Sequence, residues 1–508
     1  MKTSKLLSAV AALAAAAVLP AGAGASGLAV QAPDAPAAAG ASGAACTVTD
    51  PSSGEVVYTS AYVHCYTPQQ ITSNYGVDAV HARDRGEGQT IVLVDSYGSP
   101  TAAADLQHFY ETFYKDAGYP APRFDQVCSG RCHDYNNRAG NANGQSGPAA
   151  AAGWAGEATL DIEWAYAMAP AAHIVLIGVP PAETEGVQGM PNLFKAMSDA
   201  IDRYPAGTIF SQSFGITEET FGGAAQQQTA RFDAIYKKGN AKGDTFLASS
   251  GDDGSFGVSK QHRDTGSYDH PTVGWPASSP YVTAVGGTQL QSGWTWNPTS
   301  DSPFTADGAP NMEYFGWTDG GNTEAVWNES WLPAASGGGP SLIYPRPSWQ
   351  NSVASSIPGN HRGVPDLAWN AAVNGGVLVY TSFFPDVNRV GWHVYGGTSA
   401  ASPQVAGVLA LANQARRSAG KGPLGQVNPT LYGIGSNPSA FRDIVPVTEG
   451  TAESGKLVDN RDWDYIADGE PVQRDPVPGW PVTTGWDMTT GFGTPHADGL
   501  VSALVAAP

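Results

Sequence analysis

Five short apolar runs limit what this chain can fold into: Thr90-Ile91-Val92-Leu93-Val94-Asp95, Ile174-Val175-Leu176-Ile177, Thr208-Ile209-Phe210-Ser211, Phe246-Leu247-Ala248 and Val282-Thr283-Ala284-Val285. None alternates with polar residues, so each reads as a strand covered on both faces. Helical runs lie between them, notably Asn192 to Tyr204 and Thr229 to Lys238. This order predicts an α/β doubly wound fold, a mostly parallel sheet with helices on both faces. Ligand sites on such sheets lie at the C-terminal ends of the strands. The signals form one series across the 508 residues, which reads as a short N-terminal region and one large domain.

A serine stands out against that frame. In Gly396-Gly397-Thr398-Ser399-Ala400-Ala401-Ser402-Pro403, Ser399 follows a glycine turn and precedes the Val-, Ala- and Leu-rich run Ala401 to Ala415. That run predicts a core helix whose free N–H groups and positive dipole end face the serine. A lone Gly-Thr-Ser is more often a helix cap than a nucleophile, so other residues must supply the chemistry.

A serine nucleophile needs a base. The histidines are scattered: His108 in the aromatic helical run Leu106 to Tyr114, His133 beside a cysteine pair, His173 at a strand entrance and His393 in a turn. Each reads as structural. Acids stand out instead, in Gly156-Glu157-Ala158-Thr159-Leu160-Asp161-Ile162-Glu163-Trp164, after the strand ending at Asp95. Glu157 and Asp161 are four apart, so a helix puts both carboxylates on one face. Their apolar neighbours predict a buried helix, on which such a pair holds one proton between them. A further acid follows the strand Thr245-Phe246-Leu247, in Ala248-Ser249-Ser250-Gly251-Asp252-Asp253-Gly254. Gly-Asp at a strand end is ordinarily a turn. A protonated Asp252 is also a hydrogen-bond donor, suited to a developing oxyanion.

Together these residues resemble the sedolisin family, the serine-carboxyl peptidases with a subtilisin-like fold. The likeness runs in order from Tyr66-Thr67-Pro68 to Gly493-Thr494-Pro495, through Glu157 with Asp161, Ser250-Gly251-Asp252, Trp275-Pro276-Ala277-Ser278-Ser279-Pro280, Ser336-Gly337-Gly338-Gly339, Pro365-Asp366 and Gly397-Thr398-Ser399. The resemblance implies Ser399 as nucleophile, Glu157 as its general base, Asp161 as the group that orients Glu157, and Asp252 as the acid of the oxyanion hole. It also implies a structural calcium ion, with Asp443 and Asp487 binding through side chains and Ile444, Thr483 and Gly485 through carbonyls. Two carboxylates and several loop carbonyls suit the oxygen-rich shell that calcium takes. The chain departs from the family pattern at Thr483, where a glycine is usual, and in the long insertion Glu449 to Trp480. A long family-type propeptide finds no room between Ala25 and Tyr66. The segment Ser211-Gln212-Ser213-Phe214-Gly215 follows its strand and suits a cleft edge that pairs with substrate backbone, with Ser211, Ser213 and Gly215 as substrate-binding candidates; a plain strand-to-loop turn is the competing reading.

The N-terminus carries Lys2 and Lys5, the apolar run Leu6 to Leu19, and then small residues to Ala25, the pattern of an export signal rather than a membrane span. The domain expectation is therefore a signal peptide at 1–25, an Ala/Pro/Gly-rich lead segment and extension at 26–64, and a peptidase domain with the calcium-site region at 65–508. Export favours disulfides, and neighbourhood favours Cys46 with Cys65 and Cys128 with Cys132; zinc at the second pair is the weaker alternative. With 46 acidic against 26 basic residues, the net charge of −20 argues against nucleic acid or an anionic membrane as partner. It also suits acid, where many carboxylates become neutral. The resulting expectation is a secreted, monomeric acid peptidase acting on proteins or peptides. The competing expectations are a catalytically silent binding protein on the same fold and a histidine-based mechanism using Asp95. Gln289 to Tyr344 shows little periodicity and reads as a long loop, and Asn328-Glu329-Ser330 is a glycosylation sequon.

Overall fold

The computed structural model describes residues 30–31, 44–130, 148–180, 187–257, 268–306, 308–332, 334–383, 390–461, 464–465, 471–472 and 477–508. The export signal, nearly all of the lead segment, Cys132 and His133 lie outside the described residues.

An eight-stranded sheet forms the centre. Its strands are β1 (Thr90–Ser96), β2 (Arg123–Cys128), β3 (His173–Val179), β4 (Ile209–Gln212), β5 (Thr245–Ser249), β6 (Thr283–Trp296), β7 (Trp317–Val326) and β8 (Leu367–Asn370). They lie in the order β7-β6-β5-β4-β1-β3-β2, with β8 also on β6. Every pairing is parallel except β6 with β7. The helices are α1 (Ala102–Phe113), α2 (Pro148–Met168), α3 (Met190–Arg203), α4 (Ala225–Lys242), α5 (Thr398–Ser418) and α6 (Ala497–Ala506).

Alternate residues of each strand belong to different cores, as period-two geometry requires. Ile91, Leu93, Ile174, Leu176 and Leu247 pack with α1, α2, α5 and α6, whereas Val92, Val94, Val175, Ile177 and Phe246 pack with α3 and α4. Helices therefore cover both faces, which is why those runs are apolar at every position. After β1 the chain builds β3 and β2 on one side and then returns to place β4 on the other. The C-terminal ends of β1 and β4 thus flank a topological switch point, the usual crevice of such sheets.

All five apolar runs fall in strands, and the structure corrects the reading in three places. Gln289 to Tyr344 is largely β structure: β6 continues to Trp296 and pairs with β7, and Gly339–Pro345 forms another strand. Trp294 and Trp296 lie on one face of the strand and are buried by aromatic partners from other segments, His64 and Tyr314, while Gly293 and the polar residues around them dilute the apolar pattern. His393 lies within a strand, β10 (Gly391–Gly396), paired with β9 (Gly376–Thr381). β2 carries no apolar run in the sequence because its faces are only partly covered. Cys46 and Cys65 are bonded with Cα atoms 5.4 Å apart.

Candidate active site

Glu157 and Asp161 stand one turn apart on α2 and are buried, as is Ser399 in the first turn of α5. A glycine fixes how these helices meet. Gly407 lies eight residues beyond Ser399, and a Cβ added there would stand 2.4 Å from Met168 Cβ and 3.3 Å from the Ala165 carbonyl; Ala165 lies eight residues beyond Glu157. The helices therefore run side by side on one face of the sheet, and Glu157 is level with the turn that carries Ser399. Gly397 starts α5 at φ 97°, a conformation that favours glycine. Pro403 lacks the N–H that would otherwise bond the Ser399 carbonyl.

β4 ties the helices to the sheet. Ser211 and Ser213 are two apart and point the same way: the Ser211 hydroxyl lies 2.8 Å from that of Ser402 on α5, and the Ser213 hydroxyl donates to Asp161 Oδ1 at 2.9 Å. Both hydroxyls are engaged below the crevice. The Ser211 and Ser213 hydroxyls are thus committed to Ser402 and Asp161.

Asp95 ends β1 beside this cluster, because Leu93 pairs with Ser211 and the strands continue in parallel toward Ser213. It is completely buried, and neither carboxyl oxygen has a hydrogen-bond partner. Burial pushes its carboxyl above the usual range. Burial, then the charges of Asp95 and Glu157, push Asp161 well above its ordinary value. Three acids thus share one buried region where the sequence indicated two. In the sequence Asp95 marks a strand end and the acid of the competing histidine-based mechanism; its proximity to Asp161 depends on strand order.

Asp252 follows β5 on a turn in which Gly251 adopts φ 112°. Its Oδ1 accepts from the Thr398 backbone N–H at 2.8 Å and the Thr398 hydroxyl at 2.6 Å. Burial raises this carboxyl to about 6. Ser336 to Gly339 supports the turn: Ala335 N–H donates to the Asp252 carbonyl and Gly337 N–H to the Gly251 carbonyl, each at 2.8 Å. A Cβ on Gly337 would stand 2.4 Å from the Ser250 carbonyl, so the Gly-rich run reflects a close backbone approach. A recess beside the turn is lined by Thr217, Ser250, Asp253, Phe256, Thr272 and Gly337. The described part of the Glu449 to Trp480 insertion backs it, with Ser255 N–H donating to the Asn460 carbonyl at 3.0 Å and Asn460 Nδ2 to the Ser336 carbonyl at 2.9 Å.

The described histidines named above are engaged elsewhere. His108 packs against Tyr380 with ring centroids 3.9 Å apart, and burial lowers its pKa. His173 opens β3 at the opposite end of the strand and bonds Asp125 at 2.9 Å. Asn328 is buried, and its amide donates to the Asp459 and Arg461 carbonyls, so the sequon is not presented as an acceptor. No helix among the described residues is long and apolar enough to cross a membrane.

Asp443 and Asp487 converge on one turn. Gly485 N–H donates to Asp443 Oδ2 and Thr483 N–H to Asp487 Oδ2, each at 2.9 Å. Burial raises both carboxyls, and no cationic side chain offsets it. Ile444 follows Asp443 and is buried. Among the described residues no cluster of three or more His, Cys, Asp or Glu side chains forms, so an ion here relies on carbonyls. Two carboxylates on a carbonyl-rich turn fit calcium better than a transition metal.

The model of the subtilase family matches residues 130–426. Kumamolisin from Bacillus sp. (strain MN-32) is 31% identical over 457 residues, covering 88% of this chain and 65% of its own length. Sedolisin from Pseudomonas sp. (strain 101) is 34% identical over 242 residues, covering 46% and 34%. Human tripeptidyl-peptidase 1 is 30% identical over 369 residues, covering 69% and 52%. The chain thus spans less than two thirds of the length of these relatives. The solved structure of Pseudomonas sedolisin complexed with pseudo-iodotyrostatin superposes with a TM-score of 0.59 at 25% identity, covering 87% of this chain and 98% of the other. With its family-model match over more than half of its length, its similarity to kumamolisin and sedolisin and its mostly parallel sheet, this chain belongs to the subtilase family and, within it, to the sedolisins.

Proposed function

We propose that this protein is a secreted serine-carboxyl peptidase that hydrolyses peptide bonds of proteins or peptides in acid. The observation that carries the reading is the placement of Glu157 level with the Ser399 turn, on a helix whose other acid, Asp161, is held by Ser213. In acylation, Ser399 Oγ attacks the scissile carbonyl carbon, Glu157 takes the serine proton, and the carbonyl π pair moves to oxygen. Asp252, still protonated, donates to that oxyanion. Collapse expels the amine, which takes the proton from Glu157; water then repeats the sequence on the acyl-enzyme. Asp161 orients Glu157, and its proximity to Asp95 favours retention of protons within the cluster. Ser399 stands at a helix N-terminus, where the dipole favours developing negative charge.

Acid operation follows from opposed requirements: Glu157 must be ionised while Asp252 keeps its proton. The burial that raises Asp252 to about 6 supports this division. Asp443, Asp487 and the Ile444, Thr483 and Gly485 carbonyls would hold a calcium ion, which would tie two distant segments together and supply no step of the reaction. Peptide cleavage by purified protein, followed from acid to neutral pH, tests the reading. A bell-shaped profile centred in acid is expected, and an optimum at or above neutrality would reject it.

A further inference from the structure

Thr398 precedes the nucleophile and is itself fully buried. Both of its donors, the backbone N–H and the hydroxyl, converge on one oxygen of Asp252, at 2.8 and 2.6 Å. The hydroxyl also accepts from the Gly251 N–H at 3.1 Å. Asp252 Oδ2 is buried and has no hydrogen-bond partner.

A hydroxyl has one proton to give and lone pairs to accept with. The Gly251 N–H occupies a lone pair, which leaves the Thr398 proton for Oδ1. An oxygen that already accepts two donors is poorly suited to carry a proton of its own, because an acid's hydroxyl oxygen is the weaker acceptor of the two. From this geometry we infer that Thr398 is a positioning residue: it commits Asp252 Oδ1 to accepting and so confines the acid's proton to Oδ2, the oxygen left free for the substrate oxyanion. The inference rests on the proposed role of Asp252. It adds a division of labour between the two oxygens, imposed by the residue beside the nucleophile.

Thr398 carries a second consequence of opposite sign. Its donors favour the ionised carboxyl, so they oppose the rise that burial causes. The titratable groups on its own turn and on neighbouring segments are Asp253, the Asp459–Arg461 ion pair flanking Asn460, Glu157 and Asp161 on α2, and Asp95 on β1; the only cations of α5, Arg416 and Arg417, lie in its last turn. None of these acts on Asp252 as strongly as burial and the Thr398 donors. Removing the hydroxyl should therefore let Asp252 hold its proton to higher pH and yet present it less well. A merely structural substitution has no reason to combine those effects.

The test is the pH dependence of kcat and KM on one peptide for wild type, Thr398→Val, Thr398→Ser and Asp252→Asn, with folding checked by circular dichroism at each pH. Thr398→Val should lower kcat about tenfold or more with little change in KM, while its alkaline limb moves to higher pH. Thr398→Ser keeps the hydroxyl and should restore both kcat and the limb. A Val variant with an unmoved alkaline limb, or a Ser variant as impaired as Val, would overturn the inference. Should Val not fold, the Ser variant decides alone: wild-type kcat and limb support the inference, and loss of either overturns it. Asp252→Asn separates the two levels of argument. An unchanged alkaline limb in that variant would remove Asp252 from the oxyanion hole altogether, whereas a flattened limb there with an unmoved limb in Thr398→Val would reject only the role of Thr398.

Discussion

Ser213 donates its hydroxyl to Asp161 across 2.9 Å, joining the end of the central strand β4 to the acid-bearing helix α2. Among the described residues it is the one hydrogen bond to the Asp161 carboxylate, whose second oxygen is buried and unpartnered. The bond stabilises the ionised form of a carboxyl that burial and two neighbouring acids otherwise hold neutral.

Ser213→Ala should therefore raise the pKa of the acid cluster further. The acid limb of the activity profile is expected to move to higher pH, with kcat/KM at the optimum falling about tenfold, the scale of one hydrogen bond to a charged group. An acid limb identical to wild type would show that Asp161 does not tune the base.

Ser399→Ala and Glu157→Ala should each reduce turnover by about three orders of magnitude or more. His108→Ala, His133→Ala and His173→Ala should leave the chemistry working, since the two described rings are held by Tyr380 and Asp125. Single-turnover assays on folded variants check this. Wild-type turnover in Glu157→Ala would remove the proposed base.

Buried acids predict an unusual stability profile. Glu218 and Glu449 are each raised to about 7 by burial, and Glu163 lies well above its ordinary value for the same reason. The folded chain thus binds protons that the unfolded chain releases near pH 4. Their contribution is full below about pH 4 and is lost as pH rises through about 7. Tm should fall between those values. Glu163→Gln retains an acceptor for the Tyr380 N–H and should raise Tm at pH 7 while changing it little at pH 3.5. Equal Tm differences at both pH values would contradict this.

Calcium removal should lower Tm, because a ligand bound only by the folded state stabilises it by mass action. Asp487→Ala should abolish the dependence on chelator, as measured by calorimetry with and without added calcium. Identical melting of calcium-loaded and verified metal-free wild type would exclude the site.

Gly337→Ala should cost roughly 1–3 kcal/mol and should impair activity beyond its effect on stability. The added methyl would press on the Ser250 carbonyl and displace the turn that carries Asp252. Full activity in this variant would show that the turn absorbs the shift.

The sequence alone determined the parallel sheet and most of the candidate acids. Strands buried on both faces must be apolar at every position, and the Glu157–Asp161 spacing defines a shared helix face whatever surrounds it. Ser399 was legible from its glycine turn and the apolar helix behind it. Only the tertiary structure decided that Asp95 joins Asp161, since that proximity depends on β1 lying beside β4. It also decided that the Thr398 donors meet one oxygen of Asp252, and that Gly337 is needed where two backbones touch. The strand through Trp294 and Trp296 is decided by tertiary structure as well, since their burial depends on the distant rings of His64 and Tyr314. Spacing along the chain fixes which residues share a helix face or a strand face. Contacts between residues far apart in the chain depend on how those faces stack, which local sequence does not encode.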